Sequence, residues 1–224
     1  MNGVTSDRLV VLTRYPEPGQ VKTRLIPLLG ADGAAELHRQ MTCHTLSIAA
    51  ELRRLMPELD VVVRVEGGNP FLMQRLYETE WVFEEQGDGD LGTRIDRAVC
   101  DAFAAGRSRV AVIGTDCPEL TSQSLRSAFR SLNAADVVIG PACDGGYYLI
   151  ALGRMASGLF VRMPWGTSEV FGKTVEAARQ LALDVTVLPL LRDVDRPEDI
   201  PVWEQVSSAL RLDSVKGLKR ATTN

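Results

Sequence analysis

The feature that most constrains this chain is a set of short, unbroken apolar runs separated by longer stretches of helical period. Leu9–Thr13 (LVVLT), Val110–Gly114 (VAVIG) and Asp136–Gly140 (DVVIG), and likewise Asp60–Val65 (DVVVRV), where Arg64 interrupts the apolar residues, are too short for helices and rich in β-branched residues. Such runs read as strands buried on both faces, as in a mostly parallel sheet covered by helices. Trp81–Glu85, Tyr147–Leu152 and Asp184–Leu188 read as further strands. Helical stretches are expected over Ala31–Leu55, Asn69–Tyr77, Leu91–Ala105, from a Thr121 cap to Leu132, and from a Thr167 or Ser168 cap to Leu183. No repeat, low-complexity tract or linker divides the chain, so one α/β domain over residues 1–210 is expected, followed by a polar tail over 211–224.

In open α/β sheets ligands bind at the carboxyl ends of the strands. The Val110–Gly114 run stops at Thr115-Asp116, and Pro118 prevents it from continuing in a ladder. Asp116 thus stands at a strand end, where a carboxylate can hold a divalent cation carrying phosphates; aspartate also serves as a turn former or helix cap. The first strand leads into RYPEPGQVKTRL, with the cations Arg14, Lys22 and Arg24 and with Gly19, which lets the backbone turn or approach a ligand closely. A basic, glycine-containing loop there is a place for phosphates, although the P-loop pattern is absent.

Gly87, Gly89 and Gly92 spell G-x-G-x-x-G, the dinucleotide fingerprint. The loop carries Asp88 and Asp90, whose charges oppose a pyrophosphate, and it follows the third strand rather than the first. Nicotinamide-dinucleotide binding is therefore disfavoured. Asp90 suits a helix cap, and Gly89 can still offer backbone to a nucleotide. Asp144, Gly145 and Gly146 form a tight acidic turn before Tyr147 and Tyr148, of which one should face the core. Trp165 reads as a core anchor or a stacking surface. Asp195 with Glu198 has the spacing of a capping box, and Asp193 or Asp195 could also complete a metal site.

Net charge is −4 without a basic run, so a nucleic-acid partner is not favoured. The four cysteines are scattered and the two histidines, His38 and His44, lie six apart, which argues against zinc and for ordinary helix positions. No apolar stretch reaches membrane-spanning length, so a soluble, cytoplasmic protein with no membrane partner is expected.

Six segments in order, RYPEPGQVKTRL, QGDGDLGTR, IGTDCPEL, GPACDGGYYLI, PWGTSEV and DVDRPEDI, resemble the bacterial selenodomain-associated or radical-SAM-associated transferases over about Leu9 to Trp203. More distantly they are similar to 2-phospholactate and molybdenum cofactor guanylyltransferases and to sugar-nucleotide synthetases. The resemblance implies a three-layer αβα sandwich with a Rossmann-like, mostly parallel sheet of the nucleotide-diphospho-sugar transferase (GT-A) type. It implies Lys22 at the donor triphosphate and Mg²⁺ or Mn²⁺ on Asp116, with Asp195 as second ligand.

Together these readings describe a metal-dependent transferase with a nucleotide donor and a small phosphorylated or sugar-like acceptor. Lys22, Asp116 and Asp144 are the catalytic candidates. Arg14, Gly19, Lys22, Arg24, Gly89 and Asp90 are the nucleotide-binding candidates. Gly145, Gly146, Tyr147, Trp165 and Thr167 are the acceptor-binding candidates. Nucleotidyl transfer is the leading expectation. Glycosyl transfer from a nucleotide sugar and a non-catalytic nucleotide-binding module are the alternatives.

Overall fold

The computed structural model describes residues 7–77, 81–156 and 158–210. The expected tail over 211–224 lies outside them. The strands are β1 (Arg8–Arg14), β2 (Asp60–Glu66), β3 (Val82–Glu85), β4 (Val110–Ile113), β5 (Val137–Pro141), β6 (Tyr147–Leu152) and β7 (Val185–Val187). They form one sheet in the order β3-β2-β1-β4-β6-β5-β7. All pair in parallel except β6, which runs antiparallel to β4 and β5. The helices are α1 (Ile26–Leu55), α2 (Pro70–Tyr77), α3 (Leu91–Ala104), α4 (Ser122–Ser131), α5 (Val170–Gln180) and α6 (Ile200–Leu210).

Alternate residues of each strand feed two cores, the consequence of a period of two. Leu9, Val11, Val63 and Ile113 pack with Leu52 of α1, Met73 of α2 and Phe129 of α4. Val10, Val112, Ile139 and Ile150 pack with Ile95 and Val99 of α3 and Ala178 of α5. Helices on both faces explain why these strands read as continuous apolar runs. A third core joins the amino-terminal half of α1 to α6 through Leu37, Met41, Val194 and Trp203. This is a single α/β domain, a mostly parallel seven-stranded sheet flanked by helices on both faces. Among the described residues no helix is long and apolar enough to cross a membrane.

Three boundaries differ from the sequence reading. α1 starts at Ile26, with Pro27 in its first turn, and kinks at Gly30 (φ 72°, ψ 170°); the regular stretch beyond that kink is the expected Ala31–Leu55. α5 is preceded by Glu169 in helical conformation with no side-chain cap; Thr167 Oγ1 only accepts from Glu169 N at 3.3 Å. The helix stops at Gln180, and Ala182 turns through a left-handed φ of 53° before β7. The expected cap of the last helix is also reassigned. A 3-10 turn over Pro197–Asp199 opens α6, and Asp199, not Asp195, accepts from the backbone of Arg196 (2.7 Å) and Asp195 (3.0 Å). Asp195 is thereby left free to turn its side chain elsewhere.

Candidate active site

The carboxyl ends of β1 and β4 open onto one cleft of about 680 Å³. It is walled by the loop after β1, the start of α3, the turn between β5 and β6, and the segments before α5 and α6. Arg14, Lys22, Arg24, Gly89, Asp90, Asp116, Asp144, Gly146, Tyr147, Trp165, Thr167 and Asp195 all line it. Two expected residues do not. Gly19, at the outside of the first loop (φ 83°), has nothing within 4 Å of where a Cβ would stand, so its role is the turn itself. Gly145 acts one step back from the cleft. Its φ of 89° and a Cβ position 2.3 Å from Ser168 O show that only glycine lets the acidic turn pack on the segment before α5.

Lys22 is the hub. Its backbone is left-handed (φ 46°, ψ 40°), a costly state for a residue with a Cβ. That turn sends the side chain inward, where it is 3% exposed. Its ammonium donates to Asp116 Oδ1 (2.5 Å), Val194 O (2.6 Å) and Asp195 Oδ1 (3.1 Å). All three ammonium hydrogens therefore have acceptors. Arg24 donates to Asp195 Oδ2 at 3.0 Å. Two carboxylates that are 79 residues apart in sequence thus meet on one cation, as the strand-end argument requires.

Burial acts to lower the Lys22 pKa, but Asp116 and then Asp195 outweigh it and hold the ammonium charged above its ordinary range. Burial likewise opposes ionisation of Asp116; the Lys22 charge, with smaller help from Arg14, outweighs it and holds the carboxyl below the usual range.

The loops that carry these groups are tied together by backbone. Val194 N donates to Asp116 O at 2.9 Å, and Cys143 N to Leu191 O at 3.0 Å. Arg192 closes the same junction with a forked pair on Glu119, 2.6 Å at its shorter contact. The acidic turn is built by Asp144 Oδ1, which accepts from Gly146 N at 2.8 Å, while Asp193 Oδ1 accepts from Asp144 N at 3.2 Å. Burial, and next the charge of Asp144, push the Asp193 carboxyl above its usual range.

On the opposite wall Glu66 is gripped by Arg14 and Arg94, each at 2.7 Å. Gln86 is buried and donates to Thr13 O (2.8 Å) and Arg64 O (3.1 Å), locking the ends of β1 and β2. His38, buried on α1, puts Nε2 at 3.1 Å from Arg14 O and 3.3 Å from Thr13 Oγ1; burial lowers its pKa, which favours the neutral ring.

Sequence reasoning missed Glu66, Arg94, Gln86 and His38. Helical period could have found His38, which shares the buried face of Ala34, Met41 and Thr45. Pairing Arg14 with Glu66 needed the β1–β2 register, which sequence does not print.

The glycines of the fingerprint-like loop serve packing. Arg97 donates into that loop, to Gln86 O at 2.5 Å and Asp88 O at 2.8 Å. A Cβ on Gly92 would fall 2.7 Å from Trp165 Nε1. Asp90 caps α3 as expected, accepting from Thr93 N at 2.8 Å. Both tyrosines reach the cleft and each packs against one core: Tyr148, the more buried, donates to Pro189 O at 3.1 Å, and Tyr147 stands edge-on to Trp165 with centroids 6.2 Å apart. His44 stays outside the cleft and bonds Pro118 O at 2.9 Å. All four cysteines are free. Among the described residues no three His, Cys, Asp or Glu side chains converge as a ready-made metal cage.

The family profile described as "Uncharacterized protein conserved in bacteria (DUF2064)" matches residues 50–167. A crystal structure of a candidate nucleotide-diphospho-sugar transferase from Desulfovibrio desulfuricans G20 is 33% identical and superposes with a TM-score of 0.85, covering 96% of this chain and 94% of the other. The fold extends to 4-diphosphocytidyl-2C-methyl-D-erythritol synthase from Anaerococcus prevotii DSM 20548 (TM-score 0.60, 9% identity, 92% and 96% covered). It extends also to a CMP:2-keto-3-deoxy-manno-octonic acid synthetase complexed with CTP (TM-score 0.52, 11% identity, 92% and 98% covered). No curated protein matches the sequence.

Proposed function

The chain belongs to the bacterial DUF2064 family, and we propose that it is a metal-dependent transferase that takes a nucleotide donor, most directly a nucleotidyltransferase. The six ordered motifs also argue for the selenodomain- or radical-SAM-associated transferases as its branch. The observation that carries the reading is the convergence of Asp116 and Asp195 on Lys22 at the strand ends.

The charge of the cleft supports a divalent ion. Its lining holds four cations, Arg14, Lys22, Arg24 and Arg94, against six carboxylates, Glu66, Asp90, Asp116, Asp144, Asp193 and Asp195. With His38 neutral the formal sum is −2, so a triphosphate enters favourably only with added positive charge. The donor set fits Mg²⁺ or Mn²⁺, because such ions take one or two carboxylates plus substrate phosphates and need no protein cage. Asp116 and Asp195 would hold it, and when bound it supplies neutralisation of charge on the donor phosphates. The same ammonium now joins both carboxylates, so loading would release Lys22 toward a phosphate.

In the reaction an acceptor hydroxyl oxygen forms a bond to the donor α-phosphorus. The bond from that phosphorus to the bridging oxygen breaks, and pyrophosphate leaves with the electron pair. Asp144 takes the hydroxyl proton, or none is transferred if the acceptor is already an oxyanion. Lys22 offsets developing phosphate charge as a point charge, while Arg14 and Arg24 present planar forks. Gly89 and Asp90 lie on the nucleotide side, and Gly146, Tyr147, Trp165 and Thr167 on the acceptor side.

Glycosyl transfer from a nucleotide sugar is the second reading, favoured by the description of the 33%-identical relative. Product analysis with a panel of nucleoside triphosphates and nucleotide sugars decides. Pyrophosphate release supports nucleotidyl transfer; nucleoside diphosphate release supports glycosyl transfer. Binding without turnover across the panel would overturn both in favour of a binding module.

A further inference from the structure

Two histidines of α1 take no part in the chemistry above, yet each meets a backbone carbonyl of a loop that builds the cleft. His38 puts Nε2 at 3.1 Å from Arg14 O, at the head of the loop that carries Lys22. His44 puts Nε2 at 2.9 Å from Pro118 O, two residues past Asp116. A carbonyl only accepts, so Nε2 carries the proton in both rings. Burial lowers the pKa of both, which favours the neutral ring with its one N–H.

We infer that His38 and His44 are positioning residues: α1 braces the Lys22 loop through the first and the Asp116 loop through the second, and so sets the register in which those groups meet. The inference rests on the transferase reading and adds to it what holds the site together.

Six residues advance an α-helix by about 9 Å and leave the two side chains about 120° apart around it. The spacing that rules out a shared ligand therefore suits two separate anchors. Each anchored segment is also held from a second side. The Arg14–Tyr15 peptide receives the His38 N–H at its carbonyl, while its amide, Tyr15 N, donates to Glu66 O at 2.9 Å. Thr13 Oγ1 lies 3.3 Å from the same ring nitrogen and 3.0 Å from Thr42 Oγ1, so the end of β1 is tied to α1 at two residues. In the second loop Leu120 N donates to Cys117 O at 3.2 Å, and the bond from Val194 N to Asp116 O passes the constraint to the Asp195 segment. His44 further stands edge-on to Trp203 of α6, with centroids 6.2 Å apart. It thus touches both the loop of Asp116 and the helix that follows Asp195.

His44 also carries a cost that packing does not explain. Its Nδ1 is buried with no hydrogen-bond partner among the described residues. An apolar side chain would fill the same place against Trp203 without stranding a nitrogen. What the imidazole adds is the N–H at Pro118 O.

The test uses the full chain. His38→Leu and His44→Leu remove the N–H, and His38→Gln and His44→Gln keep one at the reach of Nε2. Native-state hydrogen exchange reads the loops without any ligand. Tyr15 N should exchange about fivefold faster in His38→Leu, and Leu120 N and Val194 N in His44→Leu, the factor that one hydrogen bond of ordinary net strength represents. Val11 and Val112, in the middle of the sheet, should exchange as in wild type. Affinity for the Mg²⁺ complexes of ATP, CTP, GTP and UTP, read by calorimetry, should fall by a similar factor for whichever binds, and glutamine should restore both readouts. Where a leucine variant does not fold, asparagine, whose amide falls one methylene short of that of glutamine, takes its place. Unchanged loop amides, equal quickening of loop and sheet amides, unchanged nucleotide affinity, or glutamine variants no better than leucine overturn the inference. If wild type binds none of the four nucleotides, the transferase reading falls, and the exchange pattern with its glutamine rescue alone decides the brace.

Discussion

Replacing Lys22 by Met keeps the length of the side chain and removes its charge. Three acceptors then lose their donor: Asp116 at 2.5 Å, Asp195 at 3.1 Å and Val194 O at 2.6 Å. Breaking a fully buried pair costs about 3–5 kcal/mol. Here only the lysine is buried; the Asp116 side chain is 51% exposed and that of Asp195 35%, so water recovers part of that cost. Discounting for this screening leaves about 2–3 kcal/mol, or a Tm lowered by about 5–10 °C at this chain length. The sign with pH follows from both partners. Asp116 is held below its ordinary range, so its contribution is present above the unfolded carboxylate pKa and fades as pH falls through the lower folded value. Lys22 is held above its range, so its contribution is present below the unfolded lysine pKa and fades as pH rises through the higher folded value. The wild-type advantage should therefore be broad and flat around neutrality. The variant also tests the ion. With the ammonium gone, Asp116 and Asp195 repel each other, and Mg²⁺ should raise the Tm of Lys22→Met more than that of wild type. Scanning calorimetry with and without Mg²⁺ reads both effects. An unchanged Tm, or a smaller Mg²⁺ response in the variant than in wild type, refutes the hub.

Four further expectations follow from particular contacts. Gly145→Ala should lose about 2 kcal/mol or more in urea unfolding, because the new Cβ meets Ser168 backbone from a left-handed position. Asp193→Asn should raise the Tm at neutral pH, and the gain should shrink as pH falls through the raised folded pKa, since protonated aspartic acid no longer carries the unfavourable charge. Trp203→Ala should cost about 3–5 kcal/mol, because the ring is fully buried between α1 and α6; a loss under about 1 kcal/mol contradicts that core. Asp90→Ala should lower the urea unfolding midpoint by removing the α3 cap, and an unchanged midpoint contradicts that role.

Much of this was legible in the sequence for a physical reason. Strands covered on both faces are apolar nearly throughout, so β1, β4 and β5 stood out as unbroken runs and β2 as a run interrupted only by the ion-paired Arg64, and their ends located Arg14 and Asp116. The carboxyl-end rule then put the cationic first loop and Asp116 at one rim without any register information, and the family resemblance added Lys22 and Asp195 as their partners there. The misreadings come from residues with two equally good uses. Asp195 and Asp199 can each cap the turn before α6; the first carboxylate is drawn off by Lys22 and Arg24, which leaves the cap to the second. Gly92 completes the disfavoured dinucleotide pattern for a packing reason that sequence does not show, the Trp165 ring packed on it. Glu66 and His38 were invisible because their meaning depends on tertiary neighbours. Glu66 matters through its register with Arg14, and His38 through the β1 end that its ring touches.

The central claim is that Asp116 serves a metal-bound nucleotide. Isothermal titration of nucleoside triphosphates with Mg²⁺ into wild type and Asp116→Ala tests it most directly. The account predicts Mg²⁺-dependent binding to wild type and a loss of at least about tenfold in the variant, equivalent to about 1.4 kcal/mol. Equal affinity in the two proteins, or wild-type binding that is indifferent to Mg²⁺, contradicts it.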